Sequence, residues 1–298
     1  MDRLESMSAL VAAVEAGSLS AAARRLHLPL ATMSRKVSQL ERHLKARLLK
    51  RSGRRLALTE AGEAYVAACR QILDEIAEAE RAATGEYSAP KGELALTTPA
   101  VFGRTHVLPV VVEFLKAYPH INVRLRLADQ LLNLLGEGID VAVRIGALQD
   151  SSLVATPVGS VRVVTCASPA YLAARGEPRS PDDLAAHDCI TFEGIASPRA
   201  WTFGDARQVH VSSRLCVNGG EAAVDAAVRG LGIARLLSYQ AAGALARGEL
   251  ALALGEFEPP ALPVHVLHAG GRPLPLKLRA FLDFVVPRLK AALESGAA

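Results

Sequence analysis

Apolar positions in the first sixty residues follow a helical period interrupted by turn signals. Leu4, Met7, Leu10, Val11 and Val14 fall three and four apart, which puts them on one face of a helix. Gly17 follows where a left-handed stop closes that helix near Ala16. Ser18 stands where it can cap a second short helix through SAAARRL. A break at His27 to Pro29 predicts a tight turn, and a third helix is expected from about Ala31 to Leu44. Its period buries Met33, Val37 and Leu40 and leaves Thr32, Ser34, Arg35, Lys36, Ser38 and Gln39 on the open face. Two short helices joined by one turn, the second rich in hydrogen-bonding side chains, make a helix-turn-helix. RLLKRSGRRLALT adds two short apolar runs around SGRR, the pattern of a hairpin with a basic tip.

From Thr59 the pattern changes. TEAG reads as a capped start, and Tyr65, Cys69, Ile72, Ile76, Ala79 and Ala83 step 4, 3, 4, 3, 4, a heptad seam. A helix of about 25 residues would reach ~37 Å, suited either to pairing two copies of the chain or to lying on its own domain. Gly85, Ser88 and Pro90 read as a hinge. The body beyond alternates strand and helix patterns. INVRLRL places Ile121, Val123, Leu125 and Leu127 on one face, IDVAVRI does so with Ile139, Val141, Val143 and Ile145, and a helix from about Arg104 to Tyr118 precedes them. A second series holds VRVVTCAS, a helix near Ala170, strands near Ile190 and Leu215, and a helix from about Glu221 to Arg229. The order predicts two α/β lobes with largely parallel sheets. The expected organisation is a head over 1–60, a linker over 61–90 and a body over 91–298. Lobe I takes about 91–159 and 266–298, and lobe II about 160–265.

Charge sharpens this division. Residues 1–60 hold 12 of the 34 Lys and Arg and 5 of the 30 Asp and Glu, a surplus of seven, which leaves 22 basic against 25 acidic residues for the rest. Eleven basic residues and one acid, Glu41, lie between Arg24 and Arg55. Such a footprint fits a module that sits on phosphates, although a solvated basic face has the same composition. The head contains no aromatic residue, so it cannot stack single-stranded bases, and double-stranded DNA is the expected partner. The hairpin tip would direct Arg54 or Arg55 toward the minor groove, or be a solvated turn.

The remaining composition narrows the class. At 298 residues with 50% hydrophobic and 21% charged positions, the chain is expected to fold as a soluble protein of roughly two domains. No apolar run reaches the ~18 residues that span a bilayer. The first turn carries Asp2, Arg3 and Glu5 where a secretory signal is basic, so the expected address is the cytoplasm, without membrane contact. Cys69, Cys166, Cys189 and Cys216 form no C-x-x-C pair and are expected to be small buried hydrophobes.

SLSAAARRLHL, ATMSRKVSQLE, RLLKRSGRRLALTEAG, DVAVRIG and VNGGEAAVDAAVRGLGIA together resemble the LysR-type transcriptional regulators over essentially the whole chain. The resemblance implies an N-terminal winged helix-turn-helix, a long linker helix that pairs subunits, and two Rossmann-like lobes similar to a periplasmic binding protein, in a homodimer or homotetramer. It matches Thr32, Ser34, Arg35 and Lys36 to the recognition helix and Arg54 and Arg55 to the wing. Leu30 stands where many members carry a polar residue.

The candidate chemistry is binding. LALTTP and VVTCASP each end a strand with a hydroxyl residue and a proline, so Thr98 and Ser168 can cap helices begun by Pro99 and Pro169. Ligands of open α/β sheets gather beyond the carboxyl ends of the strands. Thr98, Ser168, Arg144 and Asn218 are therefore the expected effector contacts, and they favour an anionic or carboxylate-bearing molecule, with Glu193 and Glu221 nearby to turn the preference toward a zwitterion or a neutral aromatic. Tyr65, Cys69, Ile72 and Ile76 are the expected pairing residues. No G-x-S-x-G, P-loop or G-x-G-x-x-G signature occurs. His265 and His268 fall on opposite sides of a strand, and Asp182 and Asp183 suit a helix start, so no cofactor or metal is expected. A ligand-responsive regulator is the reading that results; the competing one is a metabolite-processing α/β protein with a fused DNA-binding head. A DNA-architectural protein leaves the body without a purpose.

Overall fold

The computed structural model describes residues 2–50, 56–83, 89–129, 138–148, 153–193, 198–204, 206–270 and 274–294. The chain divides into two compact units: Met1–Lys91 with Leu132–Asp140 and Gly271–Arg279, and Gly92–Leu131 with Val141–Gly270 and Ala280–Ala298.

The first unit opens with α1 (Arg3–Glu15), α2 (Leu19–Arg25) and α3 (Leu30–Leu44), continues through the strands β1 (Leu49–Lys50) and β2 (Ala57–Leu58), and ends in α4 (Glu60–Ala83). Asp2 caps α1 by accepting from the Glu5 N–H, and Ser18 caps α2 by accepting from that of Ala21. Gly17 stands between them at φ +70°, a conformation that favours glycine. Ala9, Ala12 and Ala13 of α1 bury against Ala22, Ala23 and Met33; small residues let the three helices approach closely. A second cluster joins Leu10, Val37, Leu40, Leu48 and Val66. β1 and β2 pair antiparallel as Leu49 to Leu58 and Lys50 to Ala57. Thr59 starts α4 by accepting from the Gly62 N–H at 3.0 Å. Gly62 lies so close to β1's approach that a Cβ would sit 2.1 Å from the Leu48 carbonyl oxygen, hence glycine in TEAG.

The second unit contains two five-stranded sheets. Its elements are β3 (Gly92–Thr98), α5 (Ala100–Phe102), a π turn (Gly103–Val107), α6 (Leu108–Ala117), β4 (Ile121–Leu127), β5 (Val141–Ile145), β6 (Leu153–Val161), β7 (Val163–Ala167), α7 (Pro169–Arg175), a 3-10 turn (Pro181–Ala186), β8 (Cys189–Phe192), β9 (Ala200–Phe203), β10 (Arg207–His210), β11 (Ser213–Val217), α8 (Gly220–Val228), β12 (Ile233–Leu237), α9 (Ser238–Ala246), β13 (Ala251–Ala253), β14 (Leu262–Ala269) and α10 (Leu276–Glu294). The first sheet has the order β4-β3-β5-β14-β6 and the second β11-β8-β12-β7-β13.

Both sheets are mixed, which corrects the expectation of largely parallel ones. β3 runs parallel to β4 and β5, but β14 is antiparallel to both β5 and β6. In the second sheet β8, β11 and β12 are parallel, while β7 opposes β12 and β13 opposes β7. The reason is the double crossing of the chain. β6 leads into β7 through Arg162 alone, and β14 returns from the second lobe to join the first sheet, so each lobe receives strands that enter from its neighbour's side. The return begins at Leu262, with β14 wholly in the first sheet.

The first sheet packs Leu96, Leu125, Val141, Val143 and Val266 toward Val107, Phe281 and Val285. In the second, Val164, Cys166, Ile190, Ala234 and Leu236 pack on α8 and α9. Alternate residues Cys189 and Ile233 face a cluster with Tyr171, Leu184, Trp201 and Phe203, so both faces are covered. Among the described residues, no single helix is long and apolar enough to cross a membrane.

Candidate nucleic-acid interface and effector site

α3 buries Met33, Val37 and Leu40 and leaves Ser34, Arg35 and Ser38 exposed, as its period requires. Thr32 is partly buried on one flank. Lys36 differs from the expected open position: its ammonium pairs with Glu5 of α1, and its side chain is only 18% exposed. Arg54 and Arg55 lie outside the described residues. Glu41, the single acid of the basic stretch, has a structural task that its sequence context did not signal. Its Oε1 accepts from the N–H groups of Leu48 and Leu49, at 2.8 and 3.1 Å, and so fixes the start of the hairpin against α3.

On α4 the four expected pairing residues separate. Cys69 is fully buried within the chain, and burial pushes its thiol up to about 11. Tyr65 packs at the edge of the cluster around Val66. Ile72 is 39% exposed and Ile76 partly buried. The seam thus begins as an intrachain contact and emerges at Ile72.

In the second unit, strand direction decides which expected effector residues can meet. β3, β4 and β5 end at Thr98, Leu127 and Ile145 on one edge of their sheet. The edge of the second lobe nearest to them holds Val163, Leu237 and Asn218: Leu237 pairs with Val163, and Ser238 and Arg162 exchange N–H bonds to carbonyl and hydroxyl oxygens at 2.9 and 3.2 Å. Asn218 is exposed there, just before α8. Ser168 is at the other end. Because β7 runs antiparallel to β12, its last residues pair at the start of β12, and the Ser168 hydroxyl lies beside Gly230, past the end of α8. Ser168 caps α7 by accepting from the Tyr171 N–H. Thr98 makes no such cap. Pro99 occupies the N-cap position of α5, and the Thr98 hydroxyl is buried without a hydrogen-bond partner.

Thr98 and Arg144 also leave opposite faces of their sheet. Thr97 pairs with Ala142, so Arg144, two residues on, projects on the Thr97 side. Arg144 pairs in turn with His265 on β14. The Thr97 hydroxyl, Arg144 Nη2 and His265 Nδ1 are all buried without partners, three unsatisfied polar atoms on adjacent strands of one face. Among the described residues Arg144 donates to the neighbouring Val143 carbonyl, at 3.0 Å, and burial lowers its pKa. Buried polar atoms left this way cost about 1–3 kcal/mol each, so they mark a place where a polar ligand would be stabilising. Thr97 and His265 were not legible as candidates because their meeting depends on the register of β14.

The two lobes touch through groups of which the sequence singled out Glu221 but not the aromatic ones. Phe102 and His106 stack at 4.6 Å across the π turn, and Tyr239 of α9 meets both edge-on at 5.3 and 5.8 Å. Single π turns recur at functional sites. Gly103 opens this one because a Cβ there would lie 2.3 Å from the Thr98 methyl. Arg104 pairs with Glu221 at 2.5 Å between exposed side chains. Asp129 Oδ1 accepts from the Ala100 N–H at 3.0 Å, so a carboxylate already holds one donor of the helix start expected to attract an anion. Burial, and then the charge of Asp129, push the Tyr239 hydroxyl well above the usual phenol range. Among the described residues no cluster of His, Cys, Asp and Glu could hold a metal.

A recognition helix on a small basic head, followed by two mixed α/β lobes with unsatisfied polar groups at strand ends, defines a DNA-binding protein with a ligand-binding body. Comparison with known proteins identifies the kind. Residues 4–63 match the family described as bacterial regulatory helix-turn-helix protein, lysR family, and residues 88–290 the LysR substrate binding domain. An uncharacterized HTH-type transcriptional regulator of Haemophilus influenzae is 35% identical over 281 residues, covering 93% of this chain and 98% of its own. The structure of CrgA, a LysR-type transcriptional regulator from Neisseria meningitidis, is similar with a TM-score of 0.62 at 32% identity, over 96% of this chain and 98% of that one. Full-length LysG from Corynebacterium glutamicum with bound effector Arg has a TM-score of 0.64 at 26% identity, over 97% and 98%. The chain belongs to the LysR family: it is a DNA-binding transcriptional regulator with an effector-binding domain, and members of this family are not enzymes.

Proposed function

We propose that the head binds a two-fold related operator in the cytoplasm, that α4 pairs two copies of the chain, and that a small molecule at the facing strand ends of the two lobes changes the arrangement of the heads. The single observation that carries the effector reading is the pair of buried, unpartnered groups at the strand ends, the Thr98 hydroxyl and Arg144 Nη2. Thr98 and Asn218 form the two walls, and Arg144 supplies positive charge from behind the first. Ser168 is left out because it lies at the far end of its sheet. Asp129 and Glu221 stand nearby, so the favoured ligand carries a carboxylate and a cationic group together, as an amino acid does. The relative solved with Arg as its effector supports that class.

Ser34, Arg35 and Thr32 meet base edges, Arg54 and Arg55 serve the wing, and Lys36 reaches phosphate only by exchanging Glu5 for it. Ile72 and Ile76 hold the dimer, from which a tetramer can be built. A metabolite-processing protein lacks support, since both parts of the chain match the LysR regulator family and no metal cluster accompanies the polar groups among the described residues. The test is footprinting on DNA flanking the protein's own gene with a panel of amino acids and simple carboxylates. A protected two-fold site whose extent changes with one ligand class is expected. Ile72→Glu should then lose cooperative protection of the paired half-sites, because a charge placed in the seam opposes association. Full cooperativity in that variant would move the dimer elsewhere.

A further inference from the structure

α3 has an apolar tip that the head's own packing does not use. Leu30, its first residue, is 50% exposed, and Leu28, in the turn before it, is 37% exposed. Neither joins the two core clusters of the head among the described residues. Pro29 offers no side-chain cap, and in the first turn Thr32, partly buried on one flank, is the polar side chain beside Leu30, Ala31 and Met33. Leu30 lies one helical turn before Ser34 and on the same side, where a helix in the major groove turns its N-terminal residues to base edges.

A leucine there can neither donate nor accept a hydrogen bond. The apolar group that the major-groove floor offers is the C5-methyl of thymine. Two features favour DNA over an apolar protein as the occupant. Arg24 and His27 line the same depression as Leu28 and Leu30, and the surplus of basic residues in the head draws this surface to phosphates. We infer that Leu30 is a specificity-determining residue that selects thymine at one position of each half-site through contact with its methyl group. This rests on the reading that α3 enters the major groove.

The test uses the full-length protein and a randomised double-stranded DNA pool. Selection with the parent protein should enrich one thymine per half-site next to the bases read from Arg35. Replacing that thymine by deoxyuridine, which removes only the methyl, should weaken the parent's binding about fourfold, the worth of burying one methyl-sized group. Leu30→Ala should bind the thymine and deoxyuridine duplexes equally, and Leu30→Gln should shift the enriched base at that position toward adenine. Alanine favours the helix, and equal thermal unfolding of the variant and the parent checks that the head is intact. An unchanged deoxyuridine penalty in Leu30→Ala, or none in the parent, overturns the inference while leaving α3 in the groove. If Arg35→Ala also leaves binding to the selected duplex intact, the docking of α3 itself falls.

Discussion

The ends of β3 and β7 look alike as sequence and differ as structure. LALTTP and VVTCASP each close an apolar strand with a hydroxyl residue followed by proline, and each is followed by a helix. Ser168 does what that pattern predicts: it caps α7 and is satisfied there. Thr98 does not. Its helix starts one residue later, an acid from another loop takes the first N–H group, and its hydroxyl is buried with no partner. The difference comes from strand direction. β3 runs toward the second lobe, whereas β7 has just left the first and runs away from it. A local motif specifies a turn; which end of the molecule that turn occupies is set by the non-local pairing of β7 with β12. The Ser168 hydroxyl is thus satisfied within its own turn, and the unsatisfied Thr98 hydroxyl is the one we propose for the binding site.

Three perturbations can break or sharpen this contrast. The largest effect is expected from Gly103→Ala, whose added methyl would meet both the Thr98 methyl, at 2.3 Å, and a Leu127 methyl, at 2.5 Å. Overpacking of this kind costs about 1–3 kcal/mol. Chemical denaturation should show the loss, and a variant as stable as the parent would mean that the π turn does not rest on Thr98. Next come the two hydroxyls themselves. Ser168→Ala should lose ~1 kcal/mol with its cap. Thr98→Val exchanges an unsatisfied buried hydroxyl for a methyl of similar volume, and should leave stability equal or raise it by up to about 1 kcal/mol. Equal losses in the two would erase the distinction between a cap and a ligand contact.

The smallest effect is chemical. Cys166 and Cys189 lie on opposite faces of the second sheet, and burial pushes each thiol up to about 12. Cys69, at about 11, is held the same way in the head. Cys216 is exposed, against the expectation that all four are buried, because it faces outward on edge strand β11. Thiolates are the reactive form, and a raised pKa keeps the three buried groups protonated until the pH approaches 11 or 12. Mass spectrometry after alkylation of the native protein should find one modified cysteine at pH 7 and still one at pH 9. Modification of Cys166 or Cys189 under those conditions would show that a face of the second lobe opens, so that a ligand need not enter at the strand ends.

The helices of the head were legible in the sequence, because their signals are local. Gly17, Ser18 and the period of Met33, Val37 and Leu40 each act within one turn of helix. Lys36 was misplaced because its partner, Glu5, comes from a different helix. In the body, β3, β4, β5, β7, β8, β11, β14 and the helices α6, α7 and α8 could be read, whereas β6, β9, β10, β12, β13, α9 and α10 could not, nor could the sheet order. β7, antiparallel to its neighbours, is as continuously buried as β5 and β12, which each have a parallel neighbour, so burial does not reveal direction, which follows from where the chain crosses between lobes. The surroundings of the expected effector residues trace to this: Ser168 lies at the far end of its sheet, Thr97 and His265 share the face of Arg144, and Asp129 comes from the loop after β4.

The most direct test of the account is the change in operator affinity caused by the effector, measured by titrating the footprinted DNA with the parent, Thr98→Val and Ser168→Ala once a responding ligand is found. Operator affinity without ligand should be alike in all three. The ligand-induced change should persist in Ser168→Ala and be lost in Thr98→Val, since allostery requires differential binding of the ligand to two arrangements of the assembly. A response that survives in Thr98→Val and disappears in Ser168→Ala would place the effector at the wrong end of the lobes and contradict the account.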